Sequence, residues 1–158
     1  MSRFYDDGDW DVGRYSLWEQ ATKRSLEGKR GQAALADLEQ ALLALPSHRL
    51  VEGYLAKEGE VCAVGALVLA KRAAAGESRD DVLAELERVS DPEEEYVADV
   101  TASMGKRYGG MAYAMAWRIA ELNDEDCRGM EPERRFEYVL GWVRKAQGKT
   151  AAVPKETL

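Results

Sequence analysis

Histidine and cysteine are almost missing from this sequence. His48 is the single histidine, and Cys62 and Cys127 are the two cysteines in 158 residues. No Cys-x-x-Cys pair or His cluster exists, which argues against a four-ligand zinc site. Positive charge is in deficit, with 22 Lys and Arg against 29 Asp and Glu and a net charge of −7. Long-range attraction to nucleic acid or to an anionic membrane then has the wrong sign, although a local basic face remains compatible with it. No apolar run approaches the ~20 residues of a membrane span. The start, Met1-Ser2-Arg3-Phe4-Tyr5-Asp6-Asp7, contains no apolar signal-peptide core. These absences predict a cytoplasmic protein with reduced thiols, no metal and no cofactor. Internal repeats and low-complexity segments are lacking too.

What is there suits a globular domain: 46% apolar and 32% charged residues. A chain of this length buries roughly 70% of its unfolded surface, enough for a core without disulfides. The most apolar stretch is Gly59-Glu60-Val61-Cys62-Ala63-Val64-Gly65-Ala66-Leu67-Val68-Leu69-Ala70. It reads as a short strand running into a buried helix, with Gly65 and Ala66 small enough for close approach of another element. The other helices read as amphipathic elements packed around it.

In chain order, residues 1–15 form an acidic, aromatic arm containing Phe4, Tyr5, Asp7, Asp9 and Trp10. Their alternating aspartates hint at calcium. The EF-hand pattern fails, because counting from Asp7 the sixth residue is Val12 rather than Gly and the twelfth is Trp18 rather than Glu. The single helical domain spans 16–147. Ser16 caps a helix over 17–27, with Glu19 completing a capping box. Gly28-Lys29-Arg30-Gly31 breaks the chain before a helix over 32–45, whose Leu35, Leu38, Leu42 and Leu45 share one face. An extended segment and hairpin over 49–61 lead into the buried helix, 62–75, closed by Gly76. Ser78 caps the next helix. Asp91-Pro92 opens another that ends at Gly105. Helices over 111–122 and from Pro132 onward follow, with Asn123-Asp124 stopping the former. Residues 148–158 read as a tail. The expected fold is mainly α: a single-domain multi-helix bundle with one short β-hairpin.

Several pieces in order, Gly28-Lys29-Arg30-Gly31-Gln32, Ala41-Leu42, Leu45-Pro46, Arg49-Leu50 and Gly59 to Ala66, carry a resemblance. Ile119-Ala120, Asn123-Asp124-Glu125, Pro132 with Arg135, and Trp142-Val143 extend it. The pattern resembles a family of uncharacterised proteins from bacteriophages and prophages. Its Cys-x-x-Gly-Ala and Asn-Asp pieces are also similar to a group of uncharacterised actinobacterial proteins. The resemblance implies a phage gene product acting in a bacterial cytoplasm. It implies no activity. The N-terminal arm and residues 77–104 depart from the pattern.

Four groups carry potential chemistry. Cys62 opens a helix, a setting that lowers a thiol pKa, but His48 is the one histidine available as base and stands before the extended segment. Cys62 therefore reads as a buried structural residue, and Cys127, in a polar loop, as the accessible thiol. Asn123-Asp124-Glu125-Asp126 clusters carboxylates that can hold magnesium or move protons. The structural alternative is stronger, since Asn ends helices and Asp bonds loop amides. Gly65 reads as a close-packing site. The turns 28–31 and 105–110 offer Lys29, Arg30, Lys106 and Arg107 to an anion, without the pattern of a nucleotide loop. Were the two adjacent, with Tyr108 between them to stack a base, they would make a small nucleic-acid face. The reading that follows is a non-enzymatic phage accessory protein. It binds a host or phage protein through the acidic, aromatic arm, and countering a host defence or process is one role open to it. A nucleic-acid-associated protein using the basic turns is the main alternative, and a small cysteine-dependent enzyme the lesser one.

Overall fold

Helix α3, Ala63–Ala74, is the element on which the others rest: it packs against α2, α4, α5, α6 and the second hairpin strand. The computed structural model describes residues 6–90 and 97–149, with side chains described for 16–90 and 98–149. In order the helices are α1 (Asp6–Glu27), α2 (Lys29–Leu43), α3, α4 (Arg79–Val89), α5 (Val97–Gly109), α6 (Tyr113–Glu121) and α7 (Pro132–Ala146). One two-stranded hairpin, β1 (Ala56–Lys57) and β2 (Glu60–Val61), precedes α3. The fold is thus mainly α and single-domain, as expected.

The core follows from the apolar spacing. Leu35, Leu38 and Leu42 of α2 are fully buried, as are Val64, Leu67 and Val68 of α3. Each such side chain stabilises the fold by about 1.5–3 kcal/mol relative to exposure. Gly65 permits a close approach of the hairpin segment, since a Cβ there would lie 2.3 Å from the Leu55 carbonyl oxygen and 3.2 Å from Val61 Cβ. The hairpin pairs Ala56 with Val61 and Lys57 with Glu60. Its two-residue turn, Glu58-Gly59, has positive φ at both positions (53° and 84°), the geometry that matches strand twist. The Gly59 amide donates to Glu87 of α4 at 3.1 Å, which ties the turn to the helices.

Several boundaries differ from expectation. α1 does not begin at Ser16 but is already helical at Asp6, so Asp7, Asp9 and Trp10 lie on its first turns rather than on a separate arm. Phe4 and Tyr5 lie outside the described residues. α2 begins at Lys29, not at Gln32. α5 runs through Gly105 to Gly109, because its packing on α6 leaves no room for a side chain: a Cβ at Gly105 would lie 2.9 Å from Ala116 Cβ. The predicted start of that helix at Asp91-Pro92 lies outside the described residues. Asn123-Asp124 does not stop the chain's helical course. A single π-helical turn, Leu122–Asp126, continues α6. Such turns are rare and re-aim the side chains they carry. Among the described residues no helix is long and apolar enough to cross a membrane. Of the tail, residues 150–158 lie outside the described set, and Lys149 is bound to Glu39.

Candidate functional site

The structure gathers the residues singled out for chemistry into two places and adds a third. The first is a buried polar knot between the start of α3, the segment 50–53, the π turn and α7. Asn123, 1% exposed, accepts the Ala63 amide at 3.0 Å, one of the orphan donors at the start of α3. Its carboxamide nitrogen donates to the Val51 carbonyl and to Asp124 Oδ1, both at 2.8 Å. Asp124 also accepts the Gly53 amide at 3.0 Å. Burial pushes the Asp124 carboxyl up. Cys62 is the N-cap of α3, and its Sγ accepts the Gly65 amide at 3.3 Å. Burial, and secondarily the charge of Asp124, push this thiol up to about 12. Desolvation thus outweighs the helix N-terminus, and at neutral pH the sulfur is held as a thiol, the weak form of the nucleophile. Cys127 is not the accessible thiol: it is 0% exposed, because the polar residues around it in sequence turn outward while its own side chain joins the core. Among the described residues no group of three or more His, Cys, Asp or Glu side chains converges as metal ligands would.

Arg135 organises this knot. It is 2% exposed. Nε donates to the Asn123 carbonyl at 3.1 Å and Nη1 to the Leu50 carbonyl at 3.0 Å. Nη2 reaches the carbonyls of Cys127 and Met130, each at 3.1 Å, and Glu52 Oε1 at 2.6 Å. Sequence reasoning gave this residue no role. A signal was present: Arg135 stands four and eight residues before Val139 and Val143, a cation on the apolar stripe of α7.

The second place joins the two basic segments. Arg30 Nε donates to the Gly110 carbonyl at 3.0 Å and Nη2 to that of Met111 at 3.4 Å. The start of α2 therefore meets the end of α5. Lys106 and Arg107 sit on the last helical turn of α5, not in a loop. The Tyr108 ring is occupied: Arg72 lies 4.6 Å and Arg107 5.0 Å from its centroid. It is not a free platform for a base.

The third place is a cleft of about 440 Å³ between α1 and the end of α6. α1 presents Trp18, Glu19, Thr22, Lys23 and Leu26, which share one face by helical spacing. Arg118, Glu121 and Asp126 line the opposite wall. Trp18 meets Trp117 edge-on, with ring centroids 6.4 Å apart. Arg118 donates to Glu121 at 3.1 Å and to Asp126 at 2.9 Å, with its guanidinium 5.5 Å from the Trp142 ring. The π turn is what aims Asn123 inward and Asp126 at this cleft. No family model matches this chain, and no match to it was found among curated proteins or solved structures. Sequence reasoning assigned the helix over 17–27 but not the cleft, which needs α1 and the end of α6, far apart in the chain, to form.

Proposed function

We propose that this chain is a non-enzymatic, phage-encoded accessory protein that binds a host or phage protein through the α1–α6 cleft. The observation that carries the reading is the cleft itself. It combines an aromatic wall, Trp18 backed by Trp117, with a charged rim of Glu19, Lys23, Glu121 and Asp126, the last two bonded to Arg118. Aromatic anchors inside a polar rim are the anatomy of binding hot spots. Its volume lies within the range of ligand pockets and admits one or two partner side chains. Asp7, Asp9 and Trp10 belong to the same helix, on the turns before the cleft wall. Glu19 presents an exposed carboxylate at the rim, which draws a basic partner segment. The non-enzymatic part rests on how the reactive side chains are used: the Cys62 thiol and Asn123 accept amides at the start of α3, and Asp124 accepts the Gly53 amide and Asn123.

Immobilised protein exposed to nuclease-treated bacterial lysate tests this. One protein should be retained near stoichiometry. Its affinity should fall about tenfold or more, some 1.4 kcal/mol, in the pair Glu19→Arg with Glu121→Arg. Equal retention by that variant, or no protein retained preferentially, refutes the reading.

A further inference from the structure

We propose that Lys29, Arg30, Lys106 and Arg107 form a binding face for the phosphodiester backbone of nucleic acid, separate from the α1–α6 cleft and its protein partner. The geometry is the first support. Arg30, bonded to Gly110 and Met111, holds the first turn of α2 against the end of α5 and so brings residues 80 positions apart onto one surface. Arg107 is held over the Tyr108 ring. The same ring carries Arg72, which Glu77 and Glu85 clamp in place. Tyr108 is a post that positions Arg107.

Charge balance is the second support. Lys29, Arg30, Lys106 and Arg107 are exposed, and none makes an ion pair with a described residue. Their α3 neighbours Lys71 and Arg72 are neutralised by Asp37, Glu77 and Glu85. The first turn of α2 carries no acid. Lys29 and Arg30 sit at its positive end, where cations destabilise a helix. Lys106 and Arg107 stand instead at the negative end of α5, which suits them. The four cations have no ion-pair partner among the described residues, and a bound polyanion supplies the counter-charge.

The shape of the face selects the ligand. Neither the α1–α6 cleft nor the smaller one beside Arg49 and Arg79 is lined by these four residues. A row of cations at helix ends fits a linear backbone whose charges repeat along it. Because the Tyr108 ring is taken, recognition is by phosphate contact and not by base stacking, and sequence does not matter.

Fluorescence anisotropy with a labelled duplex and its single strand at 50 and 200 mM salt tests the proposal. Both should bind at the lower salt. If four phosphates are neutralised, affinity falls between these salts by about 150-fold for the duplex and about 50-fold for the single strand. The pair Lys29→Glu with Lys106→Glu should weaken binding by about tenfold or more and flatten the salt dependence, with the helical circular dichroism spectrum and a cooperative melt retained. The same charge change on the hairpin and the first turn of α7, Lys57→Glu with Arg134→Glu, should stay within about twofold. Three results would each overturn the proposal: no binding at 50 mM salt, equal weakening by both pairs, or binding confined to one base sequence.

Discussion

Gly65 and Gly141 are both helical glycines, and replacing each by alanine should move stability in opposite directions. Alanine gains about 1 kcal/mol over glycine in a helix interior from propensity. At Gly141, on α7, an added Cβ meets nothing within 4 Å. Gly141→Ala should therefore stabilise by about 0.5–1 kcal/mol. At Gly65 the new methyl would stand 2.3 Å from a main-chain oxygen, that of Leu55. Backbone cannot swing aside as a side chain does, and this oxygen is the acceptor for the Cys62 amide at 3.0 Å. Displacing it costs about 1–3 kcal/mol of overpacking and about 0.5–1.5 kcal/mol of hydrogen bond. After the propensity gain, Gly65→Ala should destabilise by about 0.5–3.5 kcal/mol, a fall of roughly 1–14 °C in Tm for a domain of this size. Gly65→Leu should lose more. Urea unfolding of the two alanine variants against the parent reads both signs at once. A Gly65→Ala protein as stable as the parent would refute the close approach of the hairpin to α3.

Arg135→Leu should cost about 3–5 kcal/mol, because it strands Glu52 and four carbonyls without their donor; a midpoint in urea within error of the parent would contradict the knot. Glu39 bonds Arg144, Lys149 and Gln147, and the Arg144 guanidinium, then Lys149, hold its carboxyl down at about 2 against an ordinary 4.5. Its folded pKa is depressed, so its contribution is present above about pH 4.5 and lost as pH falls towards 2. Linkage sets roughly 3 kcal/mol as a ceiling, and the half-exposed Lys149 reduces it to about 1–3 kcal/mol. The stability gap between the parent and Glu39→Gln should therefore close on acidification from pH 7 to about 2, and a gap independent of pH would contradict the pairing. Both thiols should resist labelling in the native protein and react together on unfolding, since Cys62 and Cys127 are equally buried; rapid native labelling of Cys127 would show that its loop opens.

The parts of this fold legible in the sequence are those written in local pattern. The run from Gly59 to Ala70 marked α3 as the central helix, and leucines spaced three and four apart marked the buried face of α2. Misreadings arose where a local cue has more than one use. Asp6-Asp7-Gly8-Asp9 reads as an arm, yet it opens α1, and carboxylates suit the positive end of a helix. Gly105 reads as a helix end because glycine commonly is one, but here it serves contact with Ala116. Asn123-Asp124 reads as a stop, and the chain takes one wider turn instead. For the candidate sites the limit was distance along the chain. Nothing local to Lys29-Arg30 says that Arg30 reaches the Gly110 and Met111 carbonyls, and nothing in α1 says that Arg118 faces it. Arg135 was legible as a cation on an apolar stripe, but its five partners were not, because they are scattered from Leu50 to Met130.

Those partners carry a consequence for how the protein can vary. Four of the five atoms that Arg135 grips belong to main-chain carbonyls, which every amino acid supplies. Leu50, Asn123, Cys127 and Met130 are thus exchangeable as far as this guanidinium is concerned, whatever other duties their side chains have. Arg135 itself has no substitute, because lysine offers a single point of donation where a fork spanning four directions is required. Drift in the irregular segments around the knot is tolerated so long as their path is kept, whereas loss of one side chain on α7 releases all of them together.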